Sequence, residues 1–146
     1  MAAPYTQSLL LYAYQASARE LVRALRDQGH DAIRPKHGAV FANIDRDGTR
    51  STTLAERAGM GKAAMGELVD ELERLGYVER RPDPTDRRAK LVHPTALALQ
   101  VTRLVHAFNR RLEARYRRSL GPKAYRLLRA SLSAIAPPGH RQPRIR

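Results

Sequence analysis

The sequence predicts a mainly α-helical protein, α+β only through one hairpin, and three observations point to it. Apolar residues recur every three or four positions over long stretches, the repeat of an amphipathic helix. Pro82 and Pro84 interrupt that repeat and keep the segment around them out of a helix. Two short strand-compatible runs, Tyr77 to Arg81 and Arg88 to Val92, flank the prolines and read as a β-hairpin with a longer loop.

Each element follows from its own residues. Leu11, Tyr14, Ala18, Leu21 and Leu25 mark one face of a long first helix, and Gly29 is its stop. Pro35 suits the first turn of a second helix, with Val40, Phe41 and Ile44 as its buried face. The run DRDG, Asp45 to Gly48, is a turn. Ser51 or Thr52 is expected to cap a short helix that turns Leu54 and Ala58 inward and breaks at Gly59. A longer helix then runs from about Lys62 to Leu75, with Met65, Leu68, Val69, Leu72 and Leu75 on one side. Short helix, glycine turn and longer helix make a helix-turn-helix, and the hairpin after it makes the unit winged.

Beyond Pro94 the helical period returns at Leu97, Val101, Leu104, Val105, Phe108, Leu112 and Tyr116. This helix should be roughly 35 Å long. Gly121-Pro122 ends it, and Tyr125, Leu128, Leu132 and Ile135 define a last helix before Pro137-Pro138. The expected organisation is one domain over residues 1–136. It comprises a winged core over about 35–95 and dimerisation helices over about 5–28 and 95–136, followed by a basic flexible tail over 137–146. The outer helices are too long and too apolar to pack only on a small winged core, so a second copy of the chain is the expected cover.

Composition narrows the function. The chain has 146 residues, no cysteine and a formal charge of +13. Cysteine chemistry is excluded, and five scattered histidines show no metal-ligand spacing, so no metal or other cofactor is expected. The opening MAAPYTQSLLLYAY has no basic start before its short apolar run, and no segment approaches the ~18 apolar residues of a membrane span. A cytoplasmic protein with no membrane partner is the expectation. No nucleophile–base pair or phosphate-cradling glycine loop appears, so no enzymatic activity is expected. The positive charge is concentrated: residues 103–146 hold twelve basic residues and one acid, Glu113. A surplus of this size suits a polyanionic partner.

The stretch LAERAGMGKAAMGELVDELERLGYVERRPDPTDRRAKLVHPT, Leu54 to Thr95, resembles the DNA-binding core of the multiple-antibiotic-resistance regulator (MarR) family. The telling part is a strand, a proline-bearing turn, Asp-Arg-Arg-Ala, and a strand ending at Pro94-Thr95. The resemblance implies a homodimeric regulator of transcription, a repressor responsive to a small ligand, on a palindromic operator in double-stranded DNA. In such a protein the hairpin is a wing whose tip arginine enters the minor groove. A narrow minor groove attracts arginine by its concentrated negative potential. Arg88 matches that tip arginine, Asp86 matches the acidic group that would hold it by a salt bridge, and Arg80 and Arg87 are candidate DNA contacts.

The helix beginning at Lys62 would lie in the major groove, and Ser51 and Thr52 of the preceding helix are further candidate DNA contacts. Here the chain departs from the family pattern, which favours serine, threonine or arginine. Ala63, Ala64, Gly66 and Glu67 stand at these positions. The alanines offer only apolar contacts, as to a thymine methyl. Gly66 permits close backbone approach, or packs against a neighbouring helix. Glu67 accepts from cytosine or repels phosphate, and Lys62 is a phosphate contact. The resemblance also implies a crevice for an aromatic or phenolic effector, with Tyr12, Tyr14, His37 and Phe41 as candidate lining. Two other readings stand beside it: those four residues are simply packed, and the chain is a nonspecific, nucleoid-type nucleic-acid-binding protein driven by its basic C-terminal third.

Overall fold

The predicted apolar stripe lies along helix α1 (Thr6–Arg26) in a computed structural model that describes residues 3–136. Only its C-terminal end is covered: Leu25 is buried and Leu21 packs on the core, whereas Leu9 is 52% and Tyr14 59% exposed. The helix closes where Gly29 takes a left-handed φ of +87° and the His30 N–H bonds back to the Leu25 carbonyl at 2.9 Å. Pro35 then starts a single 3-10 turn, Pro35–His37, that runs into the one-turn helix α2 (Gly38–Phe41).

Helices α3 (Ser51–Ala58) and α4 (Lys62–Arg74) form the helix-turn-helix, joined through Gly59 at φ +64°. The entry to α3 corrects an expectation. Its N-cap is Arg50, no side chain caps the helix, and Ser51 and Thr52 lie inside the first turn. The approach to α3 is extended and committed elsewhere: Thr49 pairs with Val92 of the hairpin through N–H···O bonds of 3.0 and 2.9 Å. Gly48 just before it sits at φ +98°, so close to His93 that a Cβ there would come within 2.5 Å of the ring. Leu75, expected on the apolar face of α4, is its C-cap residue and is 37% exposed.

The wing is longer than predicted. Strand β1 (Val78–Asp83) pairs antiparallel with β2 (Asp86–Pro94), Val78 opposite Pro94 and Arg80 opposite Val92, with an irregularity at Pro82/Asp83. Pro82 stays in the strand because β1 is an edge, where a missing N–H costs no ladder bond. Helix α5 (Ala96–Leu120) leaves directly from the wing and α6 (Pro122–Ile135) folds back on it after Gly121. The core joins these pieces: Leu25, Val40, Leu54, Met65, Val69, Leu72, Val78, Val92 and Val101 are all essentially inaccessible. The tail expected over 137–146 lies outside the described residues.

Candidate nucleic-acid interface and ligand groove

The wing is anchored at its turn by an ion pair that the sequence reading missed. Arg50 donates from Nε and Nη2 to Oδ2 of Asp83 at 2.8 and 2.6 Å. Asp83 is buried, and its other oxygen accepts the Thr85 hydroxyl at 2.7 Å and the Thr85 N–H at 2.8 Å. Hydrogen bonds from the Thr85 hydroxyl and backbone, then from Arg50, lower the Asp83 carboxyl to about 2. The turn Asp83–Asp86 is thereby tied to the start of α3, the helix-turn-helix itself.

This geometry revises two of the predicted wing roles. Among the described residues Arg88 forms no ion pair with Asp86. Asp86 Oδ1 accepts the Arg88 backbone N–H at 3.1 Å, and Oδ2 lies 3.5 Å from Arg50. The carboxylate shapes the turn and leaves the Arg88 guanidinium projecting. Arg80 is not a free phosphate contact. Its backbone N–H bonds Glu73 at 3.0 Å, and its guanidinium pairs with Glu73 and, at 2.6 Å, with Asp70. It fastens β1 to α4. The third acid of that helix, Glu71, is held by Lys36 at 2.5 Å, which lowers its pKa.

What remains outward is Lys62 at the first position of α4, exposed Ala63, Ala64 and Glu67, and the wing residues Arg87, Arg88 and Lys90. Among the described residues none of those four cations has an ion pair. Gly66 lies on the same helix with open space where a Cβ would stand, so the packing explanation for this glycine is set aside. Ser51 is half-buried and Thr52 exposed at the start of α3.

The effector-pocket candidates separate. A groove of about 940 Å³ runs between α1, the 3-10 turn with α2, and α5, and Tyr14, Leu21, Phe41, Val105 and Phe108 form much of its wall. His106, Arg110 and Arg117 also border it, and the buried His106 Nε2 has no hydrogen-bond partner among the described residues. Tyr14 further borders a hollow of about 660 Å³ against α4. Tyr12 and His37 line neither. Tyr12 is 60% exposed on α1. His37 is fully buried: its Nδ1 accepts the Arg34 N–H at 3.0 Å and its Nε2 faces Glu71 at 3.4 Å. Burial lowers its pKa, only partly offset by Glu71. A buried, hydrogen-bonded imidazole is a structural pin rather than a ligand contact. No group of metal-binding side chains occurs among the described residues, and none of their helices is long and apolar enough to cross a membrane.

Fold and site together define a winged helix-turn-helix protein with a two-stranded basic wing. Residues 33–89 match the model of the MarR family. The matched span takes in the helix-turn-helix and the turn of the wing. The transcriptional regulator HosA of Escherichia coli O111:H- is 33% identical over 66 residues, 45% of this chain and 49% of that protein. The chain thus spans about half the length of the curated relatives it matches. CouR from Rhodococcus jostii RHA1, solved bound to p-coumaroyl-CoA, is similar over 89% of this chain and 90% of its own at 26% identity and a TM-score of 0.67. FabT of Streptococcus pneumoniae, solved in complex with DNA, shares the fold at a TM-score of 0.75 and 17% identity, over 88% of this chain and 90% of its own.

Proposed function

We propose that the protein is a homodimeric transcriptional regulator, a ligand-responsive repressor that binds a palindromic operator in double-stranded DNA. The carrying observation is the pairing of a small-residue helix start at Lys62–Glu67 with a wing whose Arg87, Arg88 and Lys90 are exposed and have no ion pair among the described residues, while its turn is pinned by Arg50–Asp83. A helix with few polar side chains at its N-terminus fits a major groove closely but reads few bases. Specificity then leans on duplex shape and on arginine in the minor groove.

Two further observations support the reading. Leu9, Leu11, Tyr12 and Tyr14 on α1 and Leu127, Leu128 and Ile135 on α6 are exposed, which is costly in a lone chain and suited to burial against a second copy. The groove beside Phe41 and Phe108 has an apolar wall and a basic rim, the chemistry for an aromatic or phenolic anion, and similar CouR is solved with a phenolic thioester. A ligand wedged between α1, α2 and α5 would change the spacing of two α4 helices in a dimer and lower operator affinity.

The test is selection of bound fragments from genomic DNA by purified protein at near-physiological salt, with light scattering alongside. The expected result is a two-fold motif with half-sites about 34–36 Å apart and a dimer mass. A monomer, or binding that random duplex competes away equally well, would remove the reading.

A further inference from the structure

The basic C-terminal third is not absorbed by the wing or by α4. Arg103, Arg110 and Arg117 recur every seven residues on α5, and Arg111 and Arg118 form a second row beside them. Seven residues are close to two helical turns, so the two rows share one side of the helix over about 22 Å. All five are exposed, and Ala98, Val101, Thr102 and Phe108 bury the opposite side. Lys123 and Arg126 of α6 are exposed as well. None of these seven has an ion pair among the described residues. The one acid of the region, Glu113, is engaged by Arg129 and the Tyr125 hydroxyl.

The contrast with the winged core is informative. There Lys36, Arg50, Arg57, Arg80 and Arg81 each hold an acid, beside the outward Lys62, Arg87, Arg88 and Lys90. On α5 Arg115 alone holds an acid among the described residues, Glu20 of α1, so the two arginine rows stand as unneutralised like charges, and a two-fold contact between copies would set the same charges against each other. The arrangement fits an external polyanion. Arginine outnumbers lysine six to one among the seven, which favours forked contacts to phosphate. Residues 110–118 begin 14 positions beyond Ala96, where α5 leaves the wing, or about 21 Å along the helix. An arginine side chain does not span that distance back to a duplex gripped by the wing.

We propose that the arginine rows of α5 are a second duplex-DNA surface, separate from the wing, through which one protein molecule bridges two DNA segments. It goes beyond the operator-binding reading, and it makes its own prediction for DNA of any sequence.

The experiment loads full-length protein onto a bead-tethered duplex and measures capture of a second, fluorescent duplex. Wild type is expected to capture it, with a steep decrease as salt rises. R111Q/R118Q, which leaves the groove-bordering Arg110 and Arg117 in place, is expected to load normally and lose most of the capture. Its salt slope should be shallower by about 0.9 per phosphate contact removed. The matching Arg→Lys variant keeps the charge and should capture more weakly than wild type but above the glutamine variant. Light scattering and circular dichroism establish that each variant keeps its size and fold. Arg88→Ala separates the two surfaces, since it should weaken loading and spare capture by molecules already loaded. No capture by wild type, capture unchanged in the glutamine variant, or capture of an acidic protein in place of duplex would each overturn the proposal.

Discussion

Arg50 and Asp83 stand 33 residues apart in the chain and meet through two hydrogen bonds, 2.8 and 2.6 Å, to one carboxylate oxygen. Arg50 occupies the N-cap of α3, and Asp83 ends the first strand of the wing. The pair therefore fixes the wing against the helix-turn-helix. Arg50→Gln and Asp83→Asn should each lower DNA affinity severalfold by loosening the wing, and the double variant should do no worse than either single one. The salt dependence of binding should stay unchanged, because Arg50 is engaged internally. A slope smaller by about 0.9 in Arg50→Gln would instead make it a phosphate contact. Since the Asp83 carboxyl is lowered to about 2, the unfolded chain binds a proton more readily than the folded one. Its contribution to stability is present above pH ~4 and fades as pH falls toward 2. Acid unfolding of Asp83→Asn should lack that component.

Arg80 and Arg88 lie on the same hairpin and should behave oppositely. Arg88 is exposed and its guanidinium has no partner among the described residues, so Arg88→Ala should cost about 1–3 kcal/mol of operator binding with little change in folding stability. Arg80 joins β1 to Asp70 and Glu73 of α4, so Arg80→Ala should lower the urea midpoint. Titration of both variants at fixed salt, with urea melts beside them, separates the two roles. Equal losses of affinity at unchanged midpoints would return Arg80 to the DNA surface.

These assignments show where the sequence was informative. Helix positions were legible because the apolar period of α1, α4, α5 and α6 is uninterrupted until Gly29, Gly76 or Gly121. The wing was legible from Pro82, Pro84 and Asp86-Arg87-Arg88. Charge partners were not. Asp86 and Arg88 are neighbours in sequence, yet Asp86 bonds a backbone N–H, and Asp83 finds Arg50 across the fold. The one available signal was Arg50 standing immediately before a helix, where a capping serine or threonine is the norm. The groove residues divided for a related reason. Periodicity places Tyr12 and Tyr14 on one helix and His37 and Phe41 on another stretch, but not which of them a third helix will cover.

Gly66 offers a test of how closely α4 is approached. A Cβ at this position meets nothing within 4 Å, and the backbone is helical. Gly66→Ala should therefore raise stability by up to about 1 kcal/mol, the usual helical advantage of alanine. If the groove reads this surface at backbone distance, the same methyl should weaken operator binding while the protein becomes more stable. Stability and affinity moving in opposite directions is the signature. A variant that binds DNA as well as wild type would place Gly66 outside the contact.

His37 is the group whose protonation the fold opposes. Its Nδ1 accepts the Arg34 N–H, so adding a proton there breaks the hydrogen bond that shapes the 3-10 turn between α1 and α2. Burial lowers its pKa more than the facing Glu71 restores it, and Lys36 and Arg34 act in the same direction as burial. The unfolded chain thus takes up a proton that the folded chain resists. Stability should be complete above the ordinary histidine value of about 6.5 and decline as pH falls below it toward the lowered folded value. Urea midpoints between pH 8 and pH 5 should fall for wild type. His37→Gln keeps an acceptor at this place and cannot titrate in that range, so its midpoints should fall less. Glu71→Gln should steepen the wild-type decline, because it removes the one nearby charge that favours the imidazolium. Parallel pH profiles for wild type and His37→Gln would assign the acid sensitivity to another group.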